Sequence, residues 1–304
     1  MRITDSMMNH NLIARMGRTV ENLYRLQEQM ASGLRINRPS DEPVGAVRAA
    51  ALRSALAEVA QYKKNAEEAD ALLTMTESSL GEVVNLLRVA RQYALAGATG
   101  TVDTTTREAL AQQVEQVLQA VVGTANSERA GRFLFAGHKI NDAPFSLDLA
   151  ADPPVTYSGD GGVAVFEVGR TSTVAVNLPG DQVFNMNGQA DPALPDLFAT
   201  LDLLKDALLA EDLTQIQTSL TQIDEHLSRI LVLRGEVGAR QQGIELALNR
   251  LSDSQLSLTE SLSNTEDADF ARVMLELQTQ ENVYQATAAV AAMLSGNGLT
   301  EFLR

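Results

Sequence analysis

The chain has 304 residues, a formal net charge of −15 at pH 7, no cysteine and no tryptophan. The acidic balance argues against nucleic-acid binding, because contact with phosphates requires a basic surface. The lack of cysteine excludes disulfides and thiol chemistry, and no apolar run reaches the ~18 residues that a membrane-spanning helix needs.

Residues 1–30 are predicted to form an amphipathic helix, because apolar side chains recur every three or four positions. The pattern differs from the basic start and apolar block of a cleaved signal peptide, which argues against one. We predict that the apolar face of this helix is an assembly interface. Its residues are Ile13, Met16, Val20, Leu23, Leu26 and Met30.

A break follows this first helix. Gly33 suits the left-handed position that ends a helix, and Pro39 disfavours helical backbone in the residue before it. Ser40 is predicted to cap the next helix, with Pro43 in the first turn, where a missing N–H leaves no hydrogen bond unmade. We therefore predict a hinge formed by Gly33, Pro39, Ser40 and Pro43.

Two long segments carry narrow apolar stripes with alternating spacings of three and four residues, as in a coiled coil. Each stripe requires another long helix beside it, and the two stripes match, so we predict an antiparallel pair. The first stripe comprises Val59, Tyr62, Ala66, Ala69, Leu73, Thr76, Leu80, Val83, Leu87, Ala90 and Ala94. The second comprises Leu220, Ile223, Leu227, Ile230, Val237, Ile244, Leu248, Leu251, Leu258 and Leu262.

Three polar residues, Arg234, Gln241 and Gln255, interrupt the second stripe. Polar residues at such positions set the register of a coiled coil, or they are exposed where the stripe drifts from its partner. The alternative is an adjustable contact between subunits. We favour a role within the chain.

The region between the two stripes is predicted to hold a third helix and a small β insertion. The helix opens at residues 103–106 and extends to about Arg129, folding back on the first long helix. Six of the eight prolines then fall within 144–195, where short alternating runs indicate hairpins. The runs are 155–157, 163–168 and 173–176, and residues 158–162 are predicted to form a hairpin turn.

The last helix is predicted to begin after an acidic break at residues 264–269 and to end at the glycines 296 and 298. Its apolar seam, with the last apolar residues of the chain, is predicted to be a second assembly interface. The residues are Phe270, Val273, Leu277, Tyr284, Ala291, Leu294, Phe302 and Leu303.

The two terminal segments contain few large apolar side chains to offset the entropy of ordering them. Residues 1–38 carry six basic and three acidic side chains, a net +3, whereas residues 264–304 carry two and six, a net −4. Opposite charges favour pairing of the segments. We hypothesise that both are weakly ordered in the monomer and are fixed by packing against neighbouring subunits.

The predicted fold class is mainly α: a long antiparallel coiled-coil helical rod with paired terminal helices and a small inserted β domain. Residues 1–38 and 264–304 are predicted to form an inner core domain that depends on assembly. Residues 39–135 and 196–263 are predicted to form the rod, and residues 136–195 the outer insertion.

Enzymatic activity is not expected, and neither a cofactor nor a metal is predicted. The glycine-rich residues 158–162 lack the following helix and the lysine of a phosphate-binding loop. Glu266, Asp267 and Asp269 lack the spacing of a calcium loop, and acids in a first helical turn explain them. The three histidines lie far apart in the sequence, without a zinc-binding pattern.

Several stretches resemble the flagellin family. Residues 26–37, LQEQMASGLRIN, resemble its N-terminal signature. Residues 38–46, RPSDEPVGA, look like the proline-flanked continuation found in the hook–filament junction branch, not that of filament flagellins. Residues 131–139, GRFLFAGHK, are similar to that branch's entry to its insertion, and residues 276–282, ELQTQEN, resemble both branches.

This resemblance covers nearly all the chain except residues 140–193 and implies a flagellin-like fold. It also implies a structural layer between hook and filament that seeds flagellin assembly. The implied location is the extracellular flagellum, reached through the flagellar type III export system with an uncleaved signal. The implied partners are neighbouring copies, the other hook-associated junction protein, flagellin and a cytoplasmic export chaperone, with no nucleic acid and no membrane insertion.

Two other functions fit parts of the pattern. A filament-forming flagellin shares the same helical organisation, although residues 38–43 speak against it. A secreted coiled-coil module that binds host targets through the β insertion is a third candidate, which motility of a deletion strain would test.

Overall fold

The computed structural model describes residues 5–99 and 102–302; the side chains of residues 5, 6, 8, 9, 187 and 294–302 are outside the description. Helices dominate this part of the chain, which confirms the mainly α class with a small β insertion. The helices are α1 (Asp5–Ser32), α2 (Pro43–Gly97), α3 (Thr104–Ala125), α4 (Gly180–Phe184), α5 (Leu197–Leu209), α6 (Leu213–Glu266) and α7 (Phe270–Phe302), with a 3-10 turn at Met186–Gly188.

Six short strands form three separate antiparallel hairpins. The pairs are β1 (Glu128–Arg129) with β2 (Arg132–Phe133), β3 (Phe145–Leu147) with β4 (Val155–Tyr157), and β5 (Val165–Gly169) with β6 (Ser172–Ala175). The predicted turn at residues 158–162 was therefore wrong, because this loop connects one hairpin to the next. Asp160 shapes the loop by accepting backbone N–H bonds from His138 and Gly162 at 2.6 and 3.1 Å.

Three helix boundaries differ from the prediction. The second helix begins at Pro43, and Glu42 accepts its first helical hydrogen bond from Ala46 at 2.8 Å, so Ser40 is not the cap. Helix α3 ends at Ala125, because the chain turns into the β1–β2 hairpin there. Helix α7 continues past glycines 296 and 298 to Phe302; glycine weakens a helix but does not end one unless the backbone turns left-handed.

Helices α2 and α6 pair in opposite directions, as the matching stripes predicted. Arg91 contacts Asp224 at 2.6 Å, and Thr74 contacts Gln241 at 3.0 Å, so the partner number falls along α6 as it rises along α2. The stripe residues line the core. Those fully buried include Leu73, Leu80, Leu87, Ile223, Ile230, Val237 and Ile244.

The polar interruptions of the α6 stripe make contacts within the chain. Arg234 pairs with Glu77, with its Nε 3.1 Å from the carboxylate. Gln241 donates to the Thr74 hydroxyl. Both contacts join α6 to α2, which supports a register-setting role for Arg234 and Gln241.

The insertion shares its core with the helices that carry it. Five aromatic rings meet at centroid distances of 5.0–5.6 Å, and four of them are fully or almost fully buried. The rings belong to Phe135, Phe145, Tyr157, Phe184 and Phe198. The β5–β6 hairpin is held at its edges, because Asn65 donates to the Glu167 carbonyl and Arg240 to the Asn177 carbonyl, at 2.9 and 3.2 Å.

The chain forms two compact units. One comprises Met1–Glu58 and Asp253–Arg304, and the other comprises Val59–Ser252. The boundaries between them fall inside α2 and α6. The finer division into terminal, rod and insertion domains stays a prediction.

Candidate assembly interface

The first unit contains the terminal helices α1 and α7, which pack against each other. Among the side chains described for these helices, the buried apolar ones are Leu26 of α1 and Val273 of α7, 3% and 7% exposed. Leu26 lies beside residues 275–280 and Leu12 beside residues 283–290, so the helices run in opposite directions. The pairing of the terminal segments was expected from their sequence patterns.

The predicted interface residues divide between the seam of this pair and its outside. Leu26 and Val273 are buried in the seam, and Ile13, Phe270 and Tyr284 are exposed to 67%, 52% and 37%. The half-buried residues are Met16, Val20, Leu23, Met30, Leu277 and Ala291. The side chains of Leu294 and Phe302, and all of Leu303, lie outside the described residues.

Further apolar side chains on the outside of the pair were missed by the sequence analysis. They are Met7, Tyr24, Met274, Leu275, Val283, Val290 and Met293, each exposed by 43% or more. The sequence analysis looked for one apolar stripe on each helix, so it identified residues between the two helices and missed apolar residues next to that stripe. The available signal was that α7 carries apolar side chains around most of its circumference, the mark of a helix covered on several sides.

The predicted hinge is tied by backbone hydrogen bonds to the link between α6 and α7. Gly33 ends α1 with φ +73°, which confirms the predicted left-handed C-terminal position. Leu34 then forms an antiparallel bridge with Asp267. Arg35 N–H donates to the Glu266 carbonyl at 2.6 Å, and Ala268 N–H donates to the Gly33 carbonyl at 2.9 Å. We name residues 33–42 together with 263–269 the joint.

Two arginines add side-chain contacts to the joint. Arg35 donates to the Thr265 carbonyl at 2.6 Å and pairs with Glu42. Arg53 pairs with Glu266 at 2.6 Å. Arg35 links the segment before α2 to the end of α6, and Arg53 links α2 itself to the same end.

The hinge residues themselves lie in an ordered turn. The Asp41 carboxylate accepts the N–H groups of Asn37 and Arg38 at 3.2 and 2.8 Å, which closes the loop over Pro39 and Ser40. Pro43 follows as the first residue of α2. Whether the chain bends here on assembly stays a prediction.

Within the side chains that the structure describes, the opposite charges of the terminal segments do not form direct pairs. Among the described residues, no ion pair joins α1 to α7; Arg272 pairs instead with Glu276 on its own helix, at 2.9 Å. Arg15, Arg18 and Arg25 of α1 are exposed. Apolar contact therefore holds the described pair together, and the arginines remain available to other groups.

Metal binding and membrane spanning can also be assessed for the described residues. Within residues 5–99 and 102–302, no group of three His, Asp or Glu side chains is placed to hold a metal ion. None of the helices in these ranges has a segment long and apolar enough to cross a membrane.

Two parts of the chain match known family regions. Residues 3–139 match the bacterial flagellin N-terminal helical region, and residues 220–303 match the bacterial flagellin C-terminal helical region. Among curated proteins, flagellar hook-associated protein 3 of Salmonella typhimurium is 24% identical over 322 residues, covering 100% of both chains. A flagellin of Bacillus subtilis is 27% identical over 302 residues, covering 96% of this chain and 95% of its own.

Solved structures share the fold. The crystal structure of flagellar hook associated protein-3 from Legionella pneumophila superposes with a TM-score of 0.63 and 18% sequence identity. The match covers 70% of this chain and 97% of that one. These likenesses confirm the flagellin-like fold class, and because the two matched regions together span most of the chain, it belongs to the bacterial flagellin family.

Proposed function

We propose that this protein is a structural subunit of the hook–filament junction of the bacterial flagellum. It forms a thin layer that ends the hook and receives the first flagellin subunits. Full-length similarity to a protein named flagellar hook-associated protein 3 supports this assignment. The proline-flanked segment at residues 38–43, which opens α2 at Pro43, favours the junction branch over filament flagellins.

One observation supports the proposed assembly role: the terminal helix pair exposes many large apolar side chains that would normally be covered by other parts of a protein or by a partner. Ten large apolar side chains on α1 and α7 are more than a third exposed. Large apolar side chains exposed in such numbers on one helix pair indicate sites of protein–protein contact. The terminal helices are therefore the surfaces that neighbouring subunits cover in the assembled flagellum.

The partners follow from this arrangement. Copies of the chain contact one another through the terminal helices, the other hook-associated junction protein binds on the hook side, and flagellin binds on the filament side. Before export through the flagellar type III system, a cytoplasmic chaperone covers the exposed apolar surface. The assigned role is structural, without catalysis.

A second candidate, a filament-forming flagellin, rests on the 27% identity to the Bacillus subtilis flagellin. The two functions differ in what the purified chain does. Under conditions that polymerise flagellin, a flagellin forms long filaments, whereas a junction subunit does not propagate beyond its layer.

Deletion of the gene followed by electron microscopy tests the proposal. The expected phenotype is hooks without filaments, with unpolymerised flagellin shed into the medium. Restoration of filaments by the native chain completes the test, and a deletion strain that keeps its filaments and swims would refute it.

Order in the terminal helices is tested separately. We expect amide hydrogen exchange of the dilute monomer to be fast in residues 5–30 and 275–293, and slow in the buried seam of α2 and α6. Full protection of both terminal segments in the monomer would contradict the idea that neighbouring subunits fix them.

A further inference from the structure

A groove runs along one flank of the α1–α7 pair. Side chains of both helices line it over the same stretch. From α1 these are Leu12, Arg15, Arg18, Thr19, Asn22 and Arg25. From α7 they are Leu275, Glu276, Thr279, Gln280, Val283, Ala286, Thr287 and Val290. We name this surface the groove.

Three arginines make one wall of the groove basic. Arg15, Arg18 and Arg25 are exposed, and among the described residues they have no ion-pair partner. The opposite wall, on α7, presents Leu275 and Val283, exposed to 67% and 43%, and its one carboxylate, Glu276, is paired with Arg272 at 2.9 Å. A partner that fits must therefore offer apolar side chains together with groups that bind guanidinium.

The other flank of the same helix pair offers those groups. At 100° per residue, Phe270, Met274, Glu281 and Tyr284 fall on the side of α7 that faces away from the groove. On α1, Tyr24 lies roughly 100–180° around the helix from the three arginines, on this same flank, and is 69% exposed. We name these five residues the ridge.

Groove and ridge are complementary in chemistry. Aromatic faces and a carboxylate are the groups that arginine binds best, by stacking and by charge-assisted hydrogen bonding. Glu281 is exposed and has no ion-pair partner among the described residues. The apolar side chains of the groove in turn match Phe270 and Met274, which are 52% and 51% exposed.

We propose that the groove of one copy receives the ridge of the next copy, with Arg18 close to Glu281. This proposal rests on the proposed assembly function and assigns the contact between neighbouring copies to two different surfaces. Because the contacting surfaces differ, the association is head to tail and continues from copy to copy without closing as a two-fold dimer.

Charge reversal tests the contact in assembled flagella of a strain lacking the native gene. Arg18→Glu places a carboxylate opposite Glu281, and Glu281→Arg places a guanidinium opposite Arg18. Each variant alone is expected to lower the amount of the chain at purified hook ends by about tenfold or more, because like charges then face each other at the interface. Co-expression of the two variants is expected to restore it, because alternating copies regain opposite charges at every contact.

The controls separate this contact from export and from the proposed function. Arg88→Glu reverses an exposed arginine of α2 in the second unit and is expected to leave the amount unchanged. A chain that fails in export cannot be rescued by a second variant, so rescue excludes that cause. If the native chain itself restores no filaments, the proposed function fails; if it does but Arg18→Glu assembles normally, only this inference fails.

Disulfide trapping tests the geometry without changing charge, since the chain has no cysteine of its own. Val283→Cys marks the groove and Ala288→Cys marks the ridge side. Oxidation of flagella is expected to link the two variants when they are co-expressed and to link neither variant to itself. Self-linked copies, or a link from Val283→Cys to flagellin or another flagellar protein, would overturn the proposal.

Discussion

Arg53 of α2 and Glu266 at the end of α6 form an ion pair, with Nη2 of the arginine 2.6 Å from Oε2 of the glutamate. Glu266 is buried, only 6% exposed, whereas the Arg53 side chain is about half exposed. A carboxylate removed from water requires a compensating charge or hydrogen bonds. The Glu266 backbone carbonyl also accepts from Arg35, so this residue anchors the joint twice.

Replacement of Arg53 is expected to weaken the joint. Arg53→Met leaves the Glu266 carboxylate buried without its counter-charge, which costs about 1–3 kcal/mol. Hydrogen exchange of the Arg35 and Ala268 amides, whose bonds cross the joint, measures the loss directly. Glu266→Gln is the matched control, because it removes the buried charge and leaves a half-exposed arginine in water; equal effects of the two variants would contradict the argument.

The long helices and their pairing could be predicted from the sequence because a stripe repeats over many turns. Ile223, Ile230, Val237 and Ile244 recur every seven residues and are all fully buried. A repeated signal of this kind survives individual exceptions such as Arg234. The same spacing predicted that Leu26 and Val273 lie on the apolar faces of the terminal helices, and both are buried in the structure.

Contacts made by short segments could not be predicted, because no repeated pattern specifies them. Strand Val155–Tyr157 pairs with Phe145–Leu147, a strand that the sequence analysis did not identify and that has only three residues. The bridge between Leu34 and Asp267 joins opposite ends of the chain. Of the ridge residues, Phe270 and Tyr284 were predicted to lie in an assembly interface, whereas Tyr24 and Met274 were missed because they lie beside the seam that the periodicity defines.

His226 makes the stability of the second unit depend on pH. The imidazole is 1% exposed and lies 3.3 Å from the Thr200 hydroxyl. Burial, with a smaller effect of the Arg229 charge, lowers the pKa of His226 to about 4, below its ordinary value of 6.5. Between about pH 4 and pH 6.5, the His226 ring is therefore neutral in the folded state and protonated in the unfolded state.

The sign of the pH effect follows. Above pH 6.5 neither state binds the proton and the effect vanishes; as the pH falls from 6.5 to about 4, stability is lost. The full loss is about 3 kcal/mol. Urea unfolding followed by circular dichroism between pH 4 and 8 measures it. His226→Gln is expected to flatten this part of the profile, while His10→Gln, at an exposed position of α1, is expected to leave it as in the native chain.

Two glycines in helices are expected to respond oppositely to alanine. A methyl group at Gly97, the last residue of α2, would overlap the Leu208 side chain, which is fully buried and has no room to move. Gly97→Ala should therefore lower the free energy of unfolding by about 1–3 kcal/mol. Gly123 of α3 is exposed with open space around it, so Gly123→Ala should raise that free energy by about 0.5–1 kcal/mol. Urea unfolding of both variants checks the signs, and a destabilised Gly123→Ala would contradict the packing argument.

The Arg234–Glu77 pair is expected to fix the register between α2 and α6 while contributing little to the free energy of unfolding. Both side chains are about one-third exposed, which limits the worth of the ion pair. Glu77→Ala should cost about 0.5–1.5 kcal/mol, because it leaves Arg234 unpaired in the seam.

The double variant Arg234→Leu with Glu77→Leu should recover the native free energy of unfolding or exceed it, because apolar side chains then fill the seam. It should also lose its unique register, since one polar layer that penalises slippage is gone. Spin labels at Ser78→Cys and Ala239→Cys, both exposed, measure this as a distance distribution. A single narrow distance equal to that of the native chain would contradict this role of the Arg234–Glu77 pair and would show that other contacts set the register. The Gln241–Thr74 hydrogen bond would then be tested first, by adding Gln241→Leu to the double variant.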